Sequence, residues 1–267
     1  MEYELAVFGG GNMGAALAGG LLDGGVVAAS DLIVVEPSEA RRAELDHLLP
    51  GVATAASVDG CAAAVLAVKP PVIPEVAAVA ARAGATRVLS VAAGVTTTAI
   101  VEAVDAAGVD GVAVLRTMPN TPALVRAGVS ALCGGPGAGE ADLAWAETIL
   151  AAVGTVVRVA ESQLDAVTGL TGSGPAYVFL VAEALVDAGV LAGLPRPTAT
   201  EMVTQLLVGS SALLASEGDP AALRAKVTSP GGTTAAGLRV LEQRATRAAF
   251  IDCVQAAAGR SRELGRS

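Results

Sequence analysis

The sequence predicts an α/β chain in two parts: a doubly wound parallel sheet over residues 1–160, then an all-helical domain over 161–267. Three observations carry this prediction. Short unbroken apolar runs alternate with Ala-rich helical segments as far as about residue 159, and such runs then stop. Hydrophobic residues make up 53% of the 267 residues but aromatics only 2%, so Ala, Val and Leu must build the core at close backbone approach. That composition favours tightly packed helices over a β-sandwich.

The strands are read from LAVF (5–8), LIVV (32–35), AAVLAV (63–68), RVLSV (87–91), GVAVLR (111–116), VSALC (129–133) and TVVRV (155–159). Runs apolar on both faces, separated by helices, mark a parallel sheet covered on both sides. In the second part, boundaries come from local chemistry. Ser173-Gly174-Pro175 places a cap and an N1 proline before a helix running towards Gly193. Thr198 and Glu201 have capping-box spacing, Asp219-Pro220 opens a short helix, and Ser229 or Pro230 starts another. The helix after Pro175 is apolar almost all round, with Glu183 and Asp187 on one narrow face, so it needs burial on most sides. Self-association is the natural cover.

A net charge of −9 argues against nucleic acid or an anionic membrane as partner, leaving a small molecule. Cys61, Cys133 and Cys253 are widely spaced and lack CxxC spacing, so neither a disulfide framework nor a zinc site is expected, and no other metal cluster appears. A reducing cytoplasm fits. The start, MEYELAVFGG, lacks the basic region of a signal peptide, and Glu183 and Asp187 interrupt the longest apolar stretch; the expectation is a soluble protein.

Gly9-Gly10-Gly11-Asn12-Met13-Gly14 matches G-x-G-x-x-G. With 32 glycines in the chain the bare pattern is weak. Its context is stronger, because it follows the first strand, opens a helical run, and is followed about 20 residues later by an acid, Glu36, at the end of the second strand. Backbone N–H groups at such a turn meet a pyrophosphate, as in Rossmann-type dinucleotide sites. Glu36 stands where an acid accepts from the ribose hydroxyls of NADH and repels the 2′-phosphate of NADPH. Ser38, Arg41 and Arg42 would serve that phosphate if turned inward, but the arginines read more simply as a solvated helix face, so both cofactors stay open.

The one histidine, His47, falls on the adenosine side, which removes His-based catalysis. Lys69, in AVKPP, follows the third run at the C-terminal edge where such sheets bind ligands, and reads as a cofactor contact or a plain surface lysine. Arg116-Thr117-Met118-Pro119-Asn120-Thr121-Pro122 follows a strand at the same edge, and is a nicotinamide wall or a structural turn. TSPGGTT (228–234) offers hydroxyls and no charge. Free N–H groups at a helix N-terminus bind carboxylates without a basic side chain, yet an ordinary capped helix accounts for the residues nearly as well.

Taken in order, FGGGNMG, AVKP, SVAAG, RTMPNTP, ESQLDAVTGLTGSGPAY and VTSPGGTTAAGLRVLE resemble the Δ1-pyrroline-5-carboxylate reductases over essentially the full length, and the last two motifs are highly specific. The resemblance implies an N-terminal Rossmann domain and a C-terminal helical domain interlocked with a second subunit, as a homodimer within a larger homo-oligomer. It implies reduction of 1-pyrroline-5-carboxylate to proline by NADPH or NADH. Cofactor contacts are expected at Gly9, Gly11, Asn12, Met13, Gly14, Glu36, Ser38, Val68, Lys69, Pro70, Ala93 and Asn120. Substrate contacts are expected at Ser229, Gly232, Thr233 and Thr234, with Thr234 bonded to the ring nitrogen as the catalytic hydroxyl. Glu161 and Glu217 match acidic positions near that site, or are solvated helix charges. Two rivals stand beside this: a β-hydroxyacid dehydrogenase, with Lys226 its only candidate catalytic lysine, and a dinucleotide-sensing protein without turnover.

Overall fold

The computed structural model describes residues 3–265. In it an eight-stranded sheet has the order β3-β2-β1-β4-β5-β6-β7-β8, built from β1 (Tyr3–Phe8), β2 (Leu32–Val35), β3 (Ala53–Ala55), β4 (Cys61–Leu66), β5 (Arg87–Ser90), β6 (Ala113–Met118), β7 (Gly128–Gly134) and β8 (Gly154–Arg158). Reversal of direction on either side of β1 leaves a crevice at the strands' C-terminal ends. Successive β1 residues feed opposite faces. Leu5 and Val7 join Leu17, Leu21, Leu45 and Leu150 on one side, while Ala6 and Phe8 join Ile73, Ala77, Ile100 and Val104 on the other. Two-sided burial is why the run is unbroken.

The helices packed there are α1 (Asn12–Asp23), α2 (Glu39–Leu48), α3 (Ile73–Arg82), α4 (Thr97–Ala106) and α5 (Glu140–Ala151). All the predicted runs are strands. β3 is additional, and its ATA is too short to give an apolar run. β4 ends at Leu66, before the expected 68, which leaves Ala67, Val68 and Lys69 in the loop beyond the strand. One junction departs from the all-parallel expectation: β6 and β7 are antiparallel, pairing Leu115 with Gly134 and Met118 with Ala131. Only the short turn Thr121–Val125 joins them, with no crossover helix to carry the chain back to the far end.

Beyond β8 the described chain is helical: α6 (Leu164–Val167), α7 (Gly174–Leu191), α8 (Arg196–Glu217), α9 (Pro220–Lys226), α10 (Thr233–Gln243) and α11 (Thr246–Leu264). Residues up to Ser173, together with those from Ala256 onward, form one compact unit, and Gly174–Gln255 forms the other. α8 starts at Arg196, ahead of the predicted Thr198 cap, because Pro197 needs no N–H partner in a first turn and extended Pro195 precedes it. Asp219 caps α9 as expected, its carboxylate accepting from the N–H groups of Ala221 and Ala222. α7 has no buried residue, and Phe179 and Leu180 are 66% and 65% exposed. By length and composition alone the helical run Glu161–Leu191 is apolar enough to cross a membrane.

Candidate active site

The glycine turn is built by close approaches. Gly9 has φ +101°, and a Cβ there would lie 2.5 Å from the Ala67 carbonyl oxygen. A Cβ on Gly14 would lie 1.9 Å from the Gly9 oxygen, and one on Gly10 would lie 2.4 Å from Leu45 Cδ1. Gly11 differs, since nothing lies within 4 Å of its added Cβ. It is the N-cap of α1, supplies no side-chain cap, and leaves the first-turn N–H groups of Asn12, Met13 and Gly14 without a capping side chain. Three glycines shape the turn, and the fourth keeps open the ground in front of a helix N-terminus suited to a pyrophosphate.

Glu36 closes on this turn from β2. Its Oε2 accepts from Gly10 N at 3.0 Å and its Oε1 from Ser38 N at 2.9 Å. Arg41 Nε donates to Gly10 O at 2.7 Å, and Arg42 Nη1 donates to the carbonyls of Glu36 and Pro37, each at 2.8 Å. The solvated-face reading of these arginines is therefore corrected: Arg41 folds onto the glycine turn after β1 and Arg42 onto the loop after β2. Ser38 Oγ accepts from Arg41 N and caps α2. His47 sits exposed in the last turn of that helix.

At the C-terminal edge Val68 is half-buried, Lys69 is exposed, and Pro70 starts a short 3-10 turn. After β5, Ala93 is half-buried and Gly94 has φ +79°. These loops border a half-open cavity of about 930 Å³ whose lining includes Pro70, Ala93, Thr96, Thr168, Ser173 and Arg260. The cavity brings Pro70 and Ala93 together with Thr168 and Ser173, where Ser173 N donates to Thr168 O at 2.8 Å in a widened π-type turn. Such turns recur at functional sites.

Asn120 lies beside that turn with its amide fully engaged. Oδ1 accepts from Val129 N at 2.9 Å and Nδ2 donates to Thr171 O at 3.2 Å. It ties the MPNTP loop to the π-type turn. Glu161 is likewise held, which excludes a freely solvated charge: Oε1 accepts from Thr97 N at 2.8 Å and Arg116 Nη1 at 3.1 Å, and Oε2 from the Thr97 hydroxyl at 2.7 Å. Burial pushes its carboxyl up, but the Thr97 amide and hydroxyl and the Arg116 guanidinium outweigh this and hold it below the usual glutamate range. Burial, then the Glu161 charge, pushes the neighbouring Cys133 thiol up to about 11 against Arg116, so it stays protonated and inert.

In the other unit, Glu217 ends α8 and forms an ion pair with Lys226, both side chains being substantially exposed. The loop before α10 turns through Gly231 at φ +70° and closes with Gly232 N donating to Ser229 O at 3.0 Å. A Cβ on Gly232 would lie 2.4 Å from Ser229 Oγ, so a larger residue there would turn that hydroxyl out of its present position. The helix begins at Thr233, later than the predicted Ser229 or Pro230, because left-handed Gly231 must first finish the turn. Gly232 is its N-cap and no side chain caps it. The first turn thus presents N–H groups and the Thr233 and Thr234 hydroxyls, with Thr234 half-buried. Among the described residues no group of metal-ligating side chains occurs.

Residues 161–264 match the family described as pyrroline-5-carboxylate reductase dimerisation, and residues 4–94 match NADP oxidoreductase coenzyme F420-dependent. A pyrroline-5-carboxylate reductase of Synechocystis sp. is 43% identical over 100% of both chains. Among solved structures, the pyrroline-5-carboxylate reductase of Coxiella burnetii superposes with a TM-score of 0.87 at 32% identity, covering 99% of each chain. The Plasmodium falciparum pyrroline carboxylate reductase with NADP bound gives 0.84 at 28% identity, covering 98% of each.

Proposed function

The chain belongs to the pyrroline-5-carboxylate reductase family, and from this premise we infer its reaction and the residues that perform it. It is an NAD(P)H-dependent oxidoreductase that reduces the C=N bond of 1-pyrroline-5-carboxylate to L-proline, the last step of proline biosynthesis. The observation that carries the substrate site is the uncapped start of α10, where a glycine turn, free N–H groups and hydroxyls converge without a cation.

The substrate carboxylate is held by the N–H groups of that first turn together with Ser229, Gly232 and Thr233. A helix N-terminus favours an anion through its unpaired donors and its dipole. Thr234 Oγ1 accepts from the N–H of the protonated ring nitrogen and holds the C=N carbon in place for reduction. A threonine hydroxyl is too weak an acid to be the sole proton source, so the imine binds already protonated, which makes its carbon electrophilic. Glu217 supports the positive imine from the acidic side. Glu161 acts by holding loops rather than by touching substrate.

The glycine turn fits a dinucleotide: Gly9, Gly10 and Gly14 let it pack against Ala67, Leu45 and its own backbone, and the ground in front of α1 stays open at Gly11. The reduced nicotinamide, when bound, supplies the hydride to the C=N carbon. Gly9, Gly11, Asn12, Met13 and Gly14 hold its pyrophosphate, Glu36 and Ser38 the adenosine ribose, and Val68, Lys69, Pro70 and Ala93 line its path along the sheet edge. Asn120 supports that path by fixing the loop after β6.

The functional division follows the end of the sheet: 1–160 binds the dinucleotide, and 161–267 binds substrate and joins subunits. The exposed apolar sides of α7 and α8 suit burial against a second copy, giving a homodimer within a larger homo-oligomer in the cytoplasm, with no membrane or nucleic-acid partner.

The test is consumption of reduced cofactor with pyrroline-5-carboxylate, run with NADH and NADPH in parallel. Substrate-dependent oxidation with formation of proline is expected. Oxidation of a hydroxyacid without imine reduction would establish the dehydrogenase instead, and tight cofactor binding without turnover would establish a sensor. Thr234→Ala is expected to lower kcat about tenfold or more, the scale of one transition-state hydrogen bond. A kcat within about twofold of the parent would remove Thr234 from the catalytic role.

A further inference from the structure

We propose that Glu36 selects NADH over NADPH and that the same carboxylate holds the phosphate turn in its binding shape, so that cofactor choice and pyrophosphate binding are coupled. The inference rests on the dinucleotide reading given above and concerns how this chain carries it out.

Gly10 is held through the peptide groups on both its sides. Its N–H donates to Glu36 Oε2 and its C=O accepts from Arg41 Nε. Glu36 Oε1 meanwhile accepts from Ser38 N. A carboxylate has about four acceptor positions, so these two bonds leave two for the neighbouring hydroxyls of an adenosine ribose. The group is already aimed and need not be ordered on binding.

A 2′-phosphate would replace one of those hydroxyls with a like charge. Swinging Glu36 away would give up its bonds to the Gly10 and Ser38 N–H groups. The arginines are held at the site, Arg41 to Gly10 O and Arg42 to the Glu36 and Pro37 carbonyls, with Arg41 also paired to Glu44, so their charge is partly offset while Glu36 is ionised. Each guanidinium still has unused donors among its five. Removing the carboxylate's charge therefore leaves two cations around position 36 to meet a phosphate.

The test compares binding of NADH and NADPH, followed by nicotinamide fluorescence without imine, for the parent, Glu36→Gln and Glu36→Ala, with kcat/KM measured alongside. The parent is expected to bind NADH at least about tenfold more tightly than NADPH, as a fixed like charge at a few ångströms demands. Glu36→Gln keeps an oxygen that can accept from Gly10 N but loses the second accepting oxygen, so NADH affinity should fall about three- to tenfold while NADPH gains about tenfold. Glu36→Ala removes the same charge and also the grip on Gly10, so it should bind both cofactors about fivefold or more weakly than Glu36→Gln.

Equal parent affinities, or an unchanged ratio in Glu36→Gln, overturn the selection. Equal binding by the Gln and Ala variants overturns the coupling. A parent that forms proline with no cofactor preference overturns this inference alone, whereas a parent that binds neither cofactor overturns the dinucleotide reading and this one with it.

Discussion

Gly14→Ala is expected to lower kcat/KM for both reduced cofactors by about a hundredfold or more, equivalent to about 2.7 kcal/mol of lost transition-state binding. The added methyl would sit 1.9 Å from the Gly9 carbonyl oxygen. That neighbour is backbone, and it cannot retreat easily: Gly9 donates its N–H to Val35 O at 2.8 Å, and its own α-carbon faces the Ala67 carbonyl. Relief must come from moving α1 away from the end of β1, which misplaces the N–H groups that meet the pyrophosphate. Gly11→Ala separates shape from binding. Gly11 has φ −66° and open space around it, so alanine fits the free protein and its Tm should hold while cofactor binding weakens. Steady-state kinetics and thermal melts on the two variants check both statements. A Gly14→Ala enzyme within about threefold of the parent would show that α1 can shift without cost to the site.

The sheet was legible because its inner strands are buried on both faces, so each leaves an unbroken apolar run. LAVF and LIVV need no partner to be recognised. ATA at β3 is an edge strand of three residues with nothing to repeat. The antiparallel β7 could not be read from VSALC, because direction is decided by the length of the preceding connection rather than by the strand. In the helical part, Asp219-Pro220 named its own helix start through a purely local bond, whereas α10 was placed too early because Gly231's left-handed turn carries no distinctive residue pattern in a glycine-rich chain. Motifs drew attention to the glycine turn, Glu36 and SPGGTT. They did not reveal that Asn120 has both amide atoms engaged, or that Arg41 and Arg42 turn inward, since both outcomes depend on partners brought near by tertiary structure. The Glu161 clasp is the extreme case. Its partners Thr97 and Arg116 are 64 and 45 residues away in sequence, and neither sits in a pattern that marks it as a ligand of a glutamate.

That clasp carries the second large effect. Glu161 joins the start of α4 to β6, and so fixes the loop bearing Ala93 relative to the strand leading to Asn120. Arg116 is 8% exposed and Glu161 29%, so both are largely withdrawn from water. Arg116→Met keeps the bulk of the side chain but leaves the carboxylate with only Thr97 as partner. The expected cost is about 2–3 kcal/mol, near the value of a charged hydrogen bond and below that of a fully buried broken pair, because water still reaches Glu161. On a unit of this size that lowers Tm by roughly 5–10 °C. The pH dependence identifies the cause. Because the Glu161 pKa lies below the ordinary 4.5 in the folded protein, the clasp's stabilisation is complete above that value and is lost as pH falls through the folded pKa. Parent and Arg116→Met should therefore differ most near neutral pH and converge below pH 4.5. Glu161→Gln should flatten the parent's acid limb, and combining it with Arg116→Met should cost less than the sum of the two, because one interaction is then counted twice. A constant gap between parent and Arg116→Met from neutral to acid pH would assign the loss to packing around the methionine, and the charge pair would then not be what holds the Ala93 loop against β6.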